Sequence, residues 1–213
     1  MTLCGLSRFN VENTLAAASA ALALGISRQT VAEGLRSFRP DVEHNPGRMN
    51  IYTVPVTGGE ASVVVDLAHN EAGLEALLEI MAGIRAAGCR LLLGLGAVGD
   101  RTDDVIVGLG EIGAMSADVV AIGHKQRYLR GRTLEELEGL LRGGAARVGV
   151  TEVGVYPTEV ECLAALVEQA RPGDVVGLMC HAQRSEVHDW IGNHQGSADS
   201  PERLAQKVRT AQG

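Results

Sequence analysis

The 213-residue sequence predicts an α/β fold in which a mainly parallel sheet is covered by helices on both faces and follows an N-terminal helical hairpin. Short apolar runs, several of them rich in β-branched residues, alternate with segments whose apolar residues recur at helical spacing. An uninterrupted apolar strand such as residues 61–66 needs cover on both faces, and regular strand–helix alternation is typical of a parallel, Rossmann-like sheet. Two helical segments precede the first of these strands, and they predict the hairpin.

The hairpin is predicted over residues 1–40. Residues 10–25 are rich in alanine and end at a glycine, which favours a helix that stops there. Ser27 is a suitable N-cap for a second helix over residues 28–37. Residues 39–50 contain two prolines and are predicted to be a linker and a domain boundary. Two short helices bury too little area to fold alone, so we expect the hairpin to pack on another domain.

The α/β domain is predicted over residues 41–192. Its helices are assigned from apolar spacing, as for Leu74, Leu77 and Leu78, and its strands from apolar runs too short for helices. Residues 193–213 form a polar tail that we expect to fray, unless residues 201–211 make a short helix. In chain order the predicted strands are 61–66, 89–95, 118–122, 153–156 and 174–179, and the predicted helices are 71–87, 102–115, 133–141, 158–170 and 183–191.

Composition and charge exclude several classes of protein. Hydrophobic residues make up 46% and aromatic residues only 3%, so the core must be aliphatic. The net charge is -7, and Lys125 and Lys207 are the only lysines, which argues against a nucleic-acid or membrane-surface binder. Four cysteines without a C-x-x-C motif favour free thiols inside the cell. The most apolar stretch, residues 15–26, is too short to span a bilayer, so we expect a cytoplasmic protein.

Polar residues of the α/β domain concentrate directly after its strands. In an open parallel sheet, ligands bind beyond the carboxyl ends of the strands. Asp, His, Asn, Lys and Arg side chains gathered at this one edge predict a site for an anion and for a ribose or amino-acid group. The segments concerned are residues 66–70, 94–101, 123–132 and 180–184.

Two sequence motifs bear on nucleotide binding. Residues 94–99 (GLGAVG) match the dinucleotide pattern G-x-G-x-x-G, but residues 108–113 match as well, so the pattern is weak here. Asp100 follows the third glycine, where a pyrophosphate would bring negative charge. The chain contains no G-x-x-x-x-G-K-[ST], so it has no P-loop of its own. His69, His181 and His188 lack metal-ligand spacing, and no metal site is predicted.

A series of segments resembles motifs of the Mur ligase family. Residues 10–17 (NVENTLAA) resemble the family's H-N-x-x-N-x-x-A-A segment, which lies near the end of its central domain. Residues 46–49 (PGRM) look like the P-G-R-M/L element that opens its C-terminal domain. Residues 66–70 (DLAHN) are similar to its D-Y-A-H-N-P strand end, and residues 99–104 (GDRTDD) to its G-D-R-D segment. Residues 129–132 (LRGR) add a resemblance to cyanophycin synthetases.

This resemblance implies the C-terminal part of an ATP-dependent carboxylate–amine ligase. Such enzymes activate a carboxylate as an acyl phosphate, which an incoming amine then attacks. ATP and magnesium would be bound mainly by a P-loop central domain, supplied in cis or in trans, and we expect no ligase activity from this chain alone. By position, Asn10 would face the adenine, Arg48 the phosphates and Asp66 the ribose hydroxyls, with His69 and Asn70 lining the same cleft.

The resemblance also implies a substrate side, which takes a small-molecule amino acid or peptide. Its expected residues are Asp100, Arg101, Arg130, Arg132, His181 and Arg184. Phe9, Leu67 and Glu71 depart from the family's histidine, tyrosine and proline and indicate a divergent branch. Two alternatives stay open: a free-standing nucleotide- or NAD-binding domain, and a non-catalytic interaction module whose hairpin docks a partner or forms a homodimer.

Overall fold

The computed structural model describes residues 3–38 and 41–213, which form seven strands in one sheet and eight α-helices. The strands are β1 (Asn50–Val56), β2 (Gly59–Asp66), β3 (Leu91–Leu95), β4 (Val119–Gly123), β5 (Gly154–Tyr156), β6 (Val175–Met179) and β7 (Ser197–Ala198). The helices are α1 (Arg8–Ala23), α2 (Arg28–Ser37), α3 (Glu71–Ile84), α4 (Asp103–Ser116), α5 (Leu134–Arg147), α6 (Glu159–Gln169), α7 (Arg184–Asn193) and α8 (Pro201–Gln212).

The sheet has the strand order β5-β4-β3-β6-β2-β1-β7. The five strands from β5 to β2 run parallel, while β1 pairs antiparallel with β2 and β7 pairs antiparallel with β1. The predicted mainly parallel sheet is therefore confirmed. Strand β1 begins at the last residue of the predicted linker, and it is not among the strands predicted from the sequence.

Helices cover both faces of the sheet, as predicted. Alternate residues of a strand point to opposite faces, so Leu91 and Leu93 of β3 join the core beneath α3, α4, α5 and α8, while Leu92 joins the core beneath α6 and α7. Both cores are largely aliphatic, in keeping with the composition. None of the helices in the described residues is long and apolar enough to cross a membrane.

The end of the chain differs from the prediction. Residues 193–213 were expected to fray unless residues 201–211 made a short helix; the helix forms as α8, which packs on α3, and β7 extends the sheet. Leu204 and Val208, four residues apart, are buried, and Lys207 Nζ lies 2.6 Å from the buried carboxylate of Asp199. The expectation of fraying is wrong for this segment because two apolar side chains on a mostly polar helix suffice once a sheet edge and a neighbouring helix are present to receive them.

The N-terminal helices α1 and α2 lie close to their predicted bounds and contact each other. Ser27 caps α2 as predicted, since its Oγ accepts the Thr30 N–H at 3.1 Å. Neither helix contains a buried residue, and Leu15 and Leu24 are 62% and 82% exposed. Of the predicted hairpin 1–40, residues 1, 2, 39 and 40 lie outside the described part of the chain.

Asp174 directly precedes β6 and lies at the amino-end edge of the sheet, opposite the predicted site. The residue is 2% exposed, and its carboxylate accepts the backbone N–H groups of Arg90 at 2.8 Å and Arg171 at 2.9 Å. The Arg90 guanidinium also donates to it at 2.7 Å. Burial by itself raises the pKa of this carboxyl, but the hydrogen bonds and the guanidinium outweigh burial and hold the pKa below its usual 3.8.

We expect Asp174→Asn to lower the free energy of unfolding at pH 7 by about 1.5–3 kcal/mol, because hydrogen bonds to a charged group are lost. The depressed pKa means that the stabilisation is present above pH 3.8 and is lost as the pH falls through the lower value of the folded state. Denaturant unfolding at several pH values should therefore show the variant and the wild type converging in acid. Glu168→Gln, at an exposed position of α6, is the control. A difference that stays constant down to acid pH would contradict this account.

Candidate functional site

The carboxyl-end edge of the sheet brings together the residues predicted to bind ligands. Arg101 Nε donates to the His69 carbonyl at 3.2 Å, which joins the loops after β3 and β2. The rings of His69 and His181 lie 6.5 Å apart, which places the loop after β6 beside them. Arg132 Nη2 donates to the Arg101 carbonyl at 3.0 Å and adds the segment after β4. Loops distant in sequence thus meet at one edge, as predicted for a parallel sheet.

A cavity of about 640 Å³ lies between the α1–α2 hairpin and the α/β domain. It combines polar side chains with an apolar wall that includes Phe9, Ala17, Leu35 and Ala76. The residues expected on the substrate side do not line it. Those expected on the nucleotide side all do: Asn10, Arg48, Asp66, His69 and Asn70.

Asp66 ends β2 and is 5% exposed at the cavity. Its Oδ2 accepts the Met49 N–H at 2.9 Å and its Oδ1 accepts the Ala68 N–H at 2.7 Å. Burial raises the pKa of this carboxyl, and the two N–H groups and the nearby Arg48 offset the rise only in part. The carboxylate thus fastens the loop before β1 to the end of β2, and each oxygen keeps a lone pair for another donor.

The loop of residues 46–50 is shaped by its own side chains. The Asn50 side chain is buried, accepts the Gly47 N–H at 2.6 Å and donates to the Asn45 carbonyl at 3.2 Å. Gly47 has φ +74°, a region that favours glycine. Arg48 stands exposed between these contacts. The sequence prediction did not single out Asn50, although a buried amide closing a turn is a frequent role of asparagine.

Asn70 and His69 continue the cavity wall at the start of α3. Asn70 Oδ1 accepts the Gly73 N–H at 2.8 Å and so caps this helix. His69 is half-buried, and its carbonyl takes the Arg101 hydrogen bond. The cap accounts for Asn70 without a ligand, while the His69 ring lies between the cavity and the loop after β6.

The arginines expected on the substrate side have different surroundings. Arg132 is engaged by protein groups: its Nε donates to the Gly99 carbonyl at 3.1 Å, and its Nη1 lies 2.6 Å from Asp103 Oδ1. Arg130 is exposed, with φ +50°, and its guanidinium lies 5.6 Å from the Tyr128 ring centre. Arg101 lies 3.3 Å from the exposed carboxylate of Asp100. Arg132 therefore braces the loop after β3, and Arg130 and Asp100 face solvent.

A buried ion pair beneath this edge was not anticipated. Lys125 Nζ lies 2.6 Å from Glu159 Oε1 and also donates to the Met179 carbonyl. The same carboxylate accepts three consecutive backbone N–H groups at 2.7, 2.9 and 2.8 Å, those of residues 181, 182 and 183. Burial favours the neutral carboxyl, but Lys125 and the N–H donors outweigh it, so the pKa of Glu159 lies below 4.5. The pair fixes the loops after β4 and β6 to each other.

His181 is a buried site residue whose ring nitrogens make no hydrogen bond to the described residues. Its side chain is 7% exposed, and neither ring nitrogen has a hydrogen-bond partner among the described residues. Burial, followed by the charge of Lys125, lowers the pKa of the imidazole to about 2. The ring is therefore neutral and keeps one N–H donor and one acceptor nitrogen, beside His69 and 6.4 Å from the Tyr128 ring.

A sequence profile of the Mur ligase, glutamate ligase domain matches residues 47–181. The chain belongs to the Mur ligase family. It is 34% identical over 144 residues to a cyanophycin synthetase of Crocosphaera subtropica, a match that covers 68% of this chain and 16% of that protein. It is 32% identical over 171 residues to the UDP-N-acetylmuramoyl-L-alanyl-D-glutamate--2,6-diaminopimelate ligase of Streptomyces avermitilis, covering 79% of this chain and 32% of that ligase.

Solved structures of Mur ligase relatives share the fold. A pseudomurein peptide ligase type C from Methanothermus fervidus superposes with a TM-score of 0.62 at 22% identity, covering 88% of this chain and 36% of that one. A murein peptide ligase from Psychrobacter arcticus gives a TM-score of 0.59 at 18% identity, covering 87% and 36%. In each comparison this Mur ligase chain spans well under half of the relative's length.

The glycines of residues 94–99 have packing roles in this Mur ligase domain. A Cβ on Gly96 would overlap the Lys125 side chain, and one on Gly99 would overlap the Leu129 carbonyl oxygen. The second match to the dinucleotide pattern, residues 108–113, has a similar explanation, because a Cβ on Gly110 of α4 would overlap the Leu141 carbonyl of α5. Close backbone approach thus explains these glycines without a pyrophosphate.

Two of the residues that depart from the family motifs, Phe9 and Glu71, have defined places in the structure. Phe9 lines the cavity, and Glu71 begins α3, where a negative charge suits the helix N-terminus.

Within residues 3–38 and 41–213, no three His, Cys, Asp or Glu side chains lie close enough together to hold a metal ion.

Proposed function

We propose that this chain is the C-terminal part of an ATP-dependent carboxylate–amine ligase that closes over ATP and presents the incoming amino acid or peptide. The observation that carries the proposal is the cavity beside β2. All the residues expected to contact the nucleotide line it, although they come from α1, the loop before β1, the end of β2 and the loop that follows β2. Membership of the Mur ligase family supports the reaction class.

The chemistry of the cavity suits a nucleotide. An apolar wall with a few convergent polar groups is typical of small-molecule sites, and adenine needs such a wall. The Asp66 carboxylate can accept from vicinal ribose hydroxyls, and the exposed Arg48 guanidinium can bind phosphate oxygens. Asn10 would meet the adenine from the hairpin side. Magnesium would be held mainly by the P-loop domain.

The amine-bearing substrate would lie on the other side of His69. Arg101 and Arg130 offer guanidinium groups to a carboxylate, and the neutral His181 ring offers a donor and an acceptor. Arg132 would act by bracing the loop that carries Asp100 and Arg101. Arg184 is placed differently, because its side chain lies beside Gly47 in the loop that carries Arg48.

A P-loop domain would be supplied in cis or in trans and would cover the hairpin. Exposed apolar side chains on α1 and just beyond it support this, because a bare apolar surface of this kind marks an interface. Phe9, Leu15, Leu22 and Leu24 are 49%, 62%, 42% and 82% exposed. Catalysis would then need both domains.

We expect this chain to bind ATP–magnesium weakly, with a Kd of about 1 mM or above, because the triphosphate cradle of a P-loop is absent. Resonances of the residues lining the cavity should shift in an NMR titration. Arg48→Ala should bring the affinity for ATP down to that for adenosine, while Arg142→Ala, whose side chain pairs with Glu138 on α5, should leave it unchanged. Micromolar binding of NAD would contradict the ligase proposal. ATP shifts confined to residues outside the cavity would contradict the assigned nucleotide side.

A further inference from the structure

Arg184, the first residue of α7, lies against the loop of residues 46–50. A Cβ built on Gly47 would lie 2.6 Å from Arg184 Cδ and 3.2 Å from its Cγ. The aliphatic stem of Arg184 thus occupies the space beside the Gly47 backbone. Arginine stems often cover neighbouring groups in this way while the charged head remains in water.

The backbone before Arg184 is held in place by the buried pair of Lys125 and Glu159. The three backbone N–H groups that precede it donate to the Glu159 carboxylate, and that carboxylate is held by Lys125. A loop tied at three consecutive amides to a buried ion pair has little freedom to move. The stem of Arg184 is therefore presented from a fixed backbone.

The loop that Arg184 touches is held on its other sides by two hydrogen bonds. Asn50 accepts the Gly47 N–H and Asp66 accepts the Met49 N–H. Arg48 lies between these two anchors, and its own side chain is exposed. The stem of Arg184 is the third support around Gly47, and it comes from the segment after β6, the strand that pairs with β2.

We propose that Arg184 is a positioning residue which holds the 46–50 loop, and with it the guanidinium of Arg48, through its aliphatic stem and not through its charge. The inference rests on the proposed function in so far as Arg48 meets the nucleotide phosphates. It assigns to Arg184 a role on the nucleotide side, in contrast to the substrate side expected from the resemblance. It also connects the loop that carries His181 with the loop that carries Arg48.

The first test follows the loop itself by hydrogen exchange of the Gly47 amide in the intact chain. Arg184→Ala should speed this exchange about tenfold, because the support of the loop is lost. Arg184→Met keeps most of the stem without the charge and should retain the wild-type rate. Arg142→Ala on α5 is the matched loss of an arginine elsewhere. An unchanged rate in Arg184→Ala, or equal acceleration in both Arg184 variants, would overturn the inference.

The second test measures the phosphate contribution to binding, taken as the ratio of the affinities for ATP–magnesium and for adenosine. Arg184→Ala should reduce this ratio and Arg184→Met should retain it. Arg184→Ala in an Arg48→Ala background should have no further effect, since the positioned group is gone. If the wild type shows no phosphate contribution while the Gly47 exchange results hold, the assigned role of Arg48 fails and the support of the loop by Arg184 stands. An Arg184→Met variant that loses the ratio would show that the charge acts directly.

Discussion

Lys125→Met is expected to lower the free energy of unfolding by about 3–5 kcal/mol, because it leaves a buried carboxylate without its counter-ion. The side chains of Lys125 and Glu159 are 0% and 1% exposed, so water cannot replace the lost charge. Lys125 also donates to the Met179 carbonyl at the end of β6. Denaturant unfolding monitored by circular dichroism would measure the loss.

The effect depends on burial and should be absent from a surface pair. Arg147→Met removes the partner of Glu111 at 3.3 Å from a position that is 61% exposed, and it should change the free energy of unfolding by no more than about 1 kcal/mol. Replacing both members of the buried pair by apolar residues should recover only part of the loss, because the N–H groups of residues 181–183 then lack their acceptor. A Lys125→Met variant as stable as the Arg147→Met variant would show that the pair does not stabilise the fold.

Glu159 also makes the stability of the domain depend on pH. Its pKa is held below 4.5 in the folded protein, so the stabilisation is present above pH 4.5 and is lost as the pH falls through the folded-state value. The same curve measured for Lys125→Met should be flatter in acid, because the main source of the depressed pKa is then gone.

Gly99→Ala is expected to lower the free energy of unfolding by about 3 kcal/mol, at the upper end of the range for an added methyl group in a packed site. The new Cβ would overlap the Leu129 carbonyl oxygen, which belongs to the backbone and cannot rotate away. Gly99 is also held on both sides, because its N–H donates to the Tyr128 carbonyl at 2.8 Å and its carbonyl accepts from Arg132. Thermal or denaturant unfolding would measure the change.

Gly139→Ala on α5 is the matched control, since nothing lies within 4 Å of the Cβ that it adds. This control should stabilise the domain by about 0.5–1 kcal/mol, because alanine favours a helix over glycine. The comparison also separates two interpretations of residues 94–99. A dinucleotide fingerprint requires Gly99 for ligand approach, and its variant would keep the wild-type stability while losing affinity for NAD. A large loss of stability without any NAD binding supports the packing role.

Much of the fold could be predicted because its signals are local. Ser27 and Asn70 act as helix caps within three residues of the amides they accept, and the bounds of α2 are those predicted from the cap and the apolar spacing. Buried parallel strands such as β6 can be recognised in the sequence as short apolar runs. The polar residues that follow the strands in sequence then predicted a ligand site at the carboxyl-end edge of the sheet.

The sequence by itself determined the class of fold, the edge that carries the polar residues and the family to which the chain belongs. Only the tertiary structure decided which polar side chains face a cavity and which form hydrogen bonds or ion pairs within the protein. Asp66 lines the cavity and also accepts backbone N–H groups, Arg132 donates to backbone carbonyls, and the partner of Lys125 lies 34 residues away. The reason is the strand order β4-β3-β6, which differs from the order along the chain and sets the loops after β4 and β6 within reach of each other. Local periodicity and caps report neighbours within a few residues, whereas a buried ion pair or a docked C-terminal helix depends on surfaces that exist only once the sheet has formed.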